Sequence, residues 1–169
     1  MEWLSAFWDG FIGLHMLPYT PQDIVTKAMC HFTFGFLVGS LVLPLWTTLA
    51  ALRIICPTAG VESLRDRFNA LIAFPLRVMV LSAATNVFVD VDHLSLLFGP
   101  RDDHGRMLHG FFFWIGAAVV VISTVQAIRL VRRSNTFSEV LLRRYILCGF
   151  IGFSTVMHVF QDHLKNWWF

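Results

Sequence analysis

Histidine and aspartate side chains occur in four separated groups along this chain, and each group contains candidate metal ligands. The groups are His31; Asp90, Asp92 and His93; His104 and His109; and His158 and Asp162. Imidazole nitrogens and carboxylate oxygens together suit Zn²⁺, Mn²⁺ or Fe²⁺. A divalent metal lowers the pKa of a bound water toward ~7 and so generates hydroxide at neutral pH. If the four groups meet, the chemistry to expect is therefore metal-assisted hydrolysis.

Four long apolar segments separate these groups and predict where they meet. The segments cover approximately residues 28–52, 71–90, 107–130 and 144–164, and a helix needs about 20 apolar residues to cross a bilayer. A chain that crosses the membrane four times has the starts of spans one and three and the ends of spans two and four on the same membrane face. The four groups lie at those positions, so we expect them to converge there. Ionisable side chains at a membrane boundary are costly unless they have a partner or a function.

The composition predicts a single integral membrane domain that covers residues 1–169. Hydrophobic residues make up 56% and charged residues 14% of the chain, whereas soluble domains carry about 25% charged residues. We therefore expect an all-α, four-transmembrane-helix bundle. No stripe of Lys and Arg interleaved with aromatics suggests a nucleic-acid partner, the three cysteines form neither a metal-type pair nor a disulfide framework, and no feature indicates an oligomeric state.

Residues 1–19 predict an amphipathic helix that lies in the membrane interface. Trp3, Phe7, Phe11 and Leu14 recur at helical spacing and give the segment one apolar face. The segment lacks a basic start, and acidic residues interrupt it, so we do not expect a cleavable signal peptide.

The arginines predict the orientation of the bundle. They concentrate in the connections between spans one and two and between spans three and four, a distribution typical of cytoplasmic loops. These residues are Arg53, Arg65, Arg67, Arg129, Arg132, Arg133, Arg143 and Arg144. Both termini and the His/Asp groups should then face the non-cytoplasmic side of the inner or plasma membrane of a prokaryote.

Helix phase predicts which of these side chains point into the bundle. His31, Gly35 and Gly39 are four residues apart and share one face. A Gly-x-x-x-Gly pattern lets two helices approach closely, so we expect His31 to point inward. His158 and Asp162 share a face of span four and are placed to bind one metal ion.

The end of span two carries three candidate ligands within four consecutive residues, Asp90, Asp92 and His93. Asn86, Asp90 and His93 share a face if the helix continues, whereas Asp92 joins them only if the helix ends near Asp90. We expect Asp92 to be a ligand and Asp90 to be either a ligand or the general base that orients the water. Asn86, a turn deeper, would support a ligand, and His93 is left open.

The start of span three supplies two further histidines and an arginine. His104 and His109 are five residues apart and cannot point the same way from one regular helix. We therefore place His104 in the connecting loop and His109 on the first turn, both as ligands. Arg106 is suited to neutralise a phosphate.

In their order and spacing these motifs resemble the membrane-bound metal-dependent hydrolase family, the LexA-binding, inner-membrane-associated hydrolases of bacteria. That family shows an early His, then Asp-x-Asp-His, His-Arg-Gly-x-Thr-His-Ser and His-x-x-x-Asp segments. The counterparts here are His31 and residues 90–93, 104–110 and 158–162. The chain departs from the family pattern at four positions. Its arginine, Arg106, is displaced by one position, and Leu108 and Gly110 occupy the positions of the family's Thr and Ser. Val89 precedes Asp90 where the family has Pro. The resemblance implies a metal-dependent hydrolase with a His/Asp set similar to that of zinc-dependent phospholipases C.

The expected function is hydrolysis of a lipid or lipid-linked (phospho)ester by metal-activated water at the outer membrane interface. Zn²⁺ is the expected ion, in one or two copies, with Mn²⁺ and Fe²⁺ as alternatives. The expected ligands are His31, Asp92, His104, His109, His158 and Asp162, and Asp90 and Arg106 are the expected catalytic residues. The alternative is a non-hydrolytic membrane protein that binds metal, carries electrons on haem or serves as an interaction module.

Overall fold

The computed structural model describes residues 21–55, 63–89, 105–132 and 137–167, and every regular element within these ranges is an α-helix. The helices are α1 (Pro21–Ser40), α2 (Val42–Ala51), α3 (Leu64–Val89), α4 (Gly105–Arg132) and α5 (Glu139–Trp167). The predicted all-α architecture is therefore confirmed. The interfacial helix predicted for residues 1–19 lies outside the described residues.

Four helical segments are long and apolar enough to cross a membrane. They are Ala28–Ala51, Leu71–Val89, Gly110–Arg132 and Glu139–Phe160. These bounds match the four predicted spans to within a few residues, so the four-span bundle is confirmed. The helix that contains the fourth span continues without interruption to Trp167.

The first span is interrupted at Leu41, between α1 and α2, and Pro44 explains the position of the break. Proline has no N–H to donate to the carbonyl of Ser40, and its ring would collide with that carbonyl in a continuous α-helix. The chain tightens there instead: the Leu41 N–H donates to the Val38 carbonyl at 3.2 Å, and the Ser40 hydroxyl donates to the Leu37 carbonyl at 2.6 Å.

The helices α3 and α5 form the centre of the bundle. The helix α1 packs mainly on α3 and also touches α5, α3 packs on α5, and α4 packs mainly on α5. The helix α4 is therefore the outermost of the four, and only 11% of its span is buried. This arrangement brings the faces of α1, α3 and α5 together.

Glycines allow the closest contact between α1 and α3. A Cβ atom at Gly35 would lie 2.8 Å from the Cα of Ala83, and one at Gly39 would lie 2.7 Å from the Cα of Met79. Any side chain at either position would force the two backbones apart. The predicted close approach on the His31 face of α1 is thus confirmed.

A second close crossing joins α4 to α5 through a pair of glycines. A Cβ atom at Gly116 would lie 2.8 Å from the carbonyl oxygen of Gly152, and one at Gly152 would lie 2.7 Å from the carbonyl oxygen of Gly116. This pair could not be predicted from the sequence, because each glycine lies in a different helix and the two meet only when the helices are neighbours.

An aromatic cluster fills the bundle interior at the arginine-rich end. The Trp46 and Phe74 rings lie 4.5 Å apart, and the Arg143 guanidinium lies 5.1 Å from the centre of the Trp46 ring. Arg143 also binds Glu139 one turn away, with an Nε to Oε1 distance of 3.1 Å. This end of the bundle is closed by packing, and the buried histidines lie toward the other end.

Candidate metal centre

His31 of α1 and His158 of α5 meet inside the bundle. Their ring centroids are 4.6 Å apart and the ring planes are tilted by 47°. Both side chains are buried, with exposed fractions of 3% and 0%. Two expected ligands from the first and last spans are thus in contact, so the predicted convergence is confirmed for this pair.

Asn86 of α3 holds the His158 ring in place. The Nδ1 atom of His158 lies 3.1 Å from the Oδ1 atom of Asn86, and the asparagine is itself fully buried. A fixed partner on one ring nitrogen determines which nitrogen carries the proton.

The orientation of the Asn86 amide follows from a backbone carbonyl that can only accept hydrogen bonds. The carbonyl of Ser82 accepts one bond from Asn86 Nδ2 at 3.2 Å and another from the Ser154 hydroxyl at 3.0 Å. Because that hydroxyl donates to the carbonyl, its oxygen accepts the second bond of Asn86 Nδ2. Both amide hydrogens are thereby used, and the Oδ1 atom is the one that faces His158.

The proton of a neutral His158 therefore sits on Nδ1, and the lone pair is on Nε2. Histidines that bind metals commonly donate their other ring N–H to a carbonyl or carboxylate, which sets the tautomer and the ring orientation. Asn86 makes this contact to His158, and its predicted role as the support of a metal ligand stays a prediction.

The Ser154 hydroxyl and the backbone carbonyl of Ser82 complete this network, and neither was predicted from the sequence. Ser82 precedes Asn86 by four residues and Ser154 precedes His158 by four residues, so each lies one turn deeper on the same helix face. That spacing was the available signal. Identifying the network also required knowing that α3 and α5 are neighbours.

The contact between the two buried imidazoles is compatible with a shared metal ion. Nitrogen ligands of Zn²⁺ lie about 2.0–2.1 Å from the ion, so two imidazoles on one ion stand close to each other, as His31 and His158 do. Among the side chains that the structure describes, no group of three or more His, Cys, Asp or Glu is placed to hold a metal. Further ligands would have to come from the other predicted residues.

Those other residues fall into two sets. Asp90, Asp92, His93 and His104 lie outside the described residues, so their predicted roles stay predictions. Arg106, His109 and Asp162 lie on described helices, although their side chains are not described.

The bounds of the helices nevertheless show where these three residues lie within α4 and α5. The helix α4 begins at Gly105, so Arg106 and His109 fall in its first turns. The helix α5 is continuous across His158 and Asp162, which keeps their four-residue spacing on one helix.

The serines of the network make a paired test. The Oγ atom of Ser82 is buried without a hydrogen-bond partner among the described residues, whereas that of Ser154 links Asn86 to a carbonyl. We expect Ser154→Ala to destabilise the protein by about 1 kcal/mol, because a buried amide donor loses its acceptor. Ser82→Ala should be neutral or slightly stabilising, because it removes only an unsatisfied hydroxyl.

Unfolding of both serine variants in mixed micelles at increasing SDS measures the difference. Equal losses of stability for the two variants would contradict the hydrogen-bond assignment around Asn86.

Comparison of the chain with protein-family models, with curated proteins and with solved structures finds no match. The resemblance to the membrane-bound metal-dependent hydrolases therefore rests on the order and spacing of the His/Asp motifs in this sequence.

Proposed function

We propose that this protein is an integral-membrane, metal-dependent hydrolase that cleaves a lipid or lipid-linked (phospho)ester. The observation that carries this proposal is the buried contact between His31 and His158, with His158 oriented by Asn86. Polar ionisable groups inside a membrane bundle are costly and mark functional sites by default. An imidazole whose tautomer is set by a buried amide is prepared to bind a metal through its other nitrogen.

The chain supplies enough nitrogen and oxygen donors for one or two ions, of which Zn²⁺ suits them best. His31 and His158 would bind through their imidazoles. The remaining ligands would be Asp92, His104, His109 and Asp162. A divalent ion held by these residues would allow water to act as a nucleophile at neutral pH.

Two further side chains would take part in catalysis. Asp90 would orient the attacking water and accept its proton, and Arg106 would neutralise the charge of a phosphate. Water adds its hydroxyl to the acyl or phosphoryl group, the ester bond breaks, and the alcohol leaves with the proton. The apolar bundle below Ser82 and Ser154 would keep bulk water away from the deeper side of the site.

The site would face the non-cytoplasmic side of a prokaryotic inner or plasma membrane. The arginines at the opposite end of the described helices support this orientation by the positive-inside tendency. They are Arg53, Arg65, Arg129, Arg132, Arg143 and Arg144.

A cysteine-labelling experiment tests this orientation. In a variant without native cysteines, Asp103→Cys should react with an impermeant thiol reagent from outside the cytoplasmic membrane. Labelling from the cytoplasm alone would overturn this orientation.

The geometry disfavours haem binding by this histidine pair, and it disfavours transport through the described part of the bundle. A haem bound by two histidines lies between their rings, and rings 4.6 Å apart leave no room for the porphyrin. A transport path would need polar groups across the bilayer, but the described network gives way to the apolar packing of Trp46, Phe74 and Val78.

Metal content and hydrolysis test the proposed function together. We expect the purified protein to contain Zn²⁺, Mn²⁺ or Fe²⁺ by elemental mass spectrometry and to release product from phospholipid vesicles. A chelator should stop the reaction and added Zn²⁺ should restore it. A protein that retains no transition metal above background, even after incubation with each of these ions, would overturn the proposal.

A further inference from the structure

A lateral groove of about 430 Å³ opens between α1–α2, α4 and α5. It exists because α4 packs mainly on α5 and stands away from the first span. Leucines of the first span form one wall, aliphatic residues of α4 form the other, and α5 forms the floor. The groove is almost entirely apolar, with Ser123, Thr124 and Tyr145 as its polar lining residues.

The length of the groove matches one leaflet of a bilayer. Along α4 its lining extends from Val120 to Val131, which is about 16 Å at roughly 1.5 Å per residue. The hydrocarbon core of a bilayer is ~30 Å thick, so the groove spans about half of it. It lies in the half of the bundle that ends in the arginine-rich connections.

Exposed arginines stand at the end of the groove. Arg132 follows the lining residue Val131 in α4, and Arg144 precedes the lining residue Tyr145 in α5. Neither forms an ion pair with an acid among the described residues, where Glu139 is bound by Arg143. Guanidinium groups bind phosphate oxygens in paired hydrogen bonds.

We propose that this groove binds one acyl chain of an anionic phospholipid from the leaflet at the arginine-rich end, with the lipid phosphate held by Arg132 and Arg144. Basic pockets between transmembrane helices bind anionic head groups in this manner. The bound lipid is a structural ligand and not the substrate, because the paired histidines lie toward the opposite end of the bundle. The proposal does not depend on the proposed hydrolytic function.

Gly149 on α5 offers a way to fill the groove without breaking the fold. A Cβ atom there would meet only Ser123 Cβ, at an ordinary contact distance of 3.6 Å. A leucine at this position would occupy the space of the acyl chain. Gly110 on α4 is the matched control, because a Cβ atom there would have nothing within 4 Å.

Native mass spectrometry of the full-length protein from nanodiscs tests the lipid site. The nanodiscs contain equal parts of phosphatidylglycerol and phosphatidylcholine. The unmodified protein and Gly110→Leu should each retain one phosphatidylglycerol molecule, and Gly149→Leu should retain none. Retention by Gly149→Leu equal to that of the unmodified protein would overturn the proposal, and so would a second copy of the chain in place of lipid.

A double variant that removes both arginine charges tests the head-group contact separately. Arg132→Gln with Arg144→Gln should reduce the preference for phosphatidylglycerol about 30-fold, which corresponds to about 1 kcal/mol for each arginine. The control is Arg77→Gln, which removes an exposed arginine of α3, a helix that does not line the groove. An unchanged preference in the double variant would overturn the assigned phosphate contact.

Discussion

A His158→Ala variant of the purified protein should lose more than 100-fold in zinc affinity. The substitution removes the buried imidazole whose Nδ1 atom is held by Asn86. Loss of an outer partner of a metal ligand typically costs about 10–100-fold in affinity, and loss of the ligand itself should cost more. The zinc affinity of Asn86→Ala should therefore lie between that of the unmodified protein and that of His158→Ala. Competition with a fluorescent zinc chelator measures this order of affinities.

His163→Ala is the matched control for this series. It removes another histidine from the same helix, one that the helix phase turns about 140° away from His158, so zinc affinity should be unchanged. Circular dichroism and gel filtration of each variant would separate loss of the site from loss of the fold. A folded His158→Ala protein that binds zinc as tightly as the unmodified protein would exclude His158 as a ligand.

The spans and the inward face of α1 could be predicted because their signals are local. Hydropathy over about 20 residues is enough to recognise a span, and a four-residue repeat identifies the face that carries His31, Gly35 and Gly39. The sequence also predicted that His31 and His158 lie at the same end of the bundle, since four crossings place the start of the first span and the end of the fourth on one side.

The features that sequence analysis missed all depend on which helices are neighbours. Ser154 binds the Ser82 carbonyl only because α5 packs on α3, and Gly116 meets Gly152 only because α4 packs on α5. Crossing the membrane four times fixes the end of the bundle at which each residue lies, but not the order of helices around it. The lateral groove, which arises from the separation of α4 from the first span, could not be predicted for the same reason.

Gly35→Ala should destabilise the protein and weaken zinc binding together. The added Cβ atom would lie 2.6 Å from Asn86 Nδ2, 2.7 Å from the Ser82 carbonyl oxygen and 2.8 Å from Ala83 Cα. Two of these neighbours are backbone atoms, so α1 itself must move away from α3. We expect a net loss of about 1–3 kcal/mol in unfolding free energy, even though alanine is intrinsically the better helix former.

Gly149→Ala separates overpacking from helix propensity. Both substitutions replace a helical glycine by alanine, which alone favours the helix by about 1 kcal/mol, but the new Cβ atom at position 149 makes only an ordinary contact with Ser123. Gly149→Ala should therefore be stabilising and Gly35→Ala destabilising in SDS unfolding.

The zinc affinity of Gly35→Ala then tests whether His31 is a ligand of the metal centre. A displaced α1 carries His31 away from His158 and presses on Asn86, so Gly35→Ala should bind zinc more weakly although it alters no ligand. If Gly35→Ala lost stability but kept the zinc affinity of the unmodified protein, His31 would be a packing partner of His158 and not a ligand. The metal would then have to be held by His158 and the ligands predicted on α4, α5 and the connection before α4.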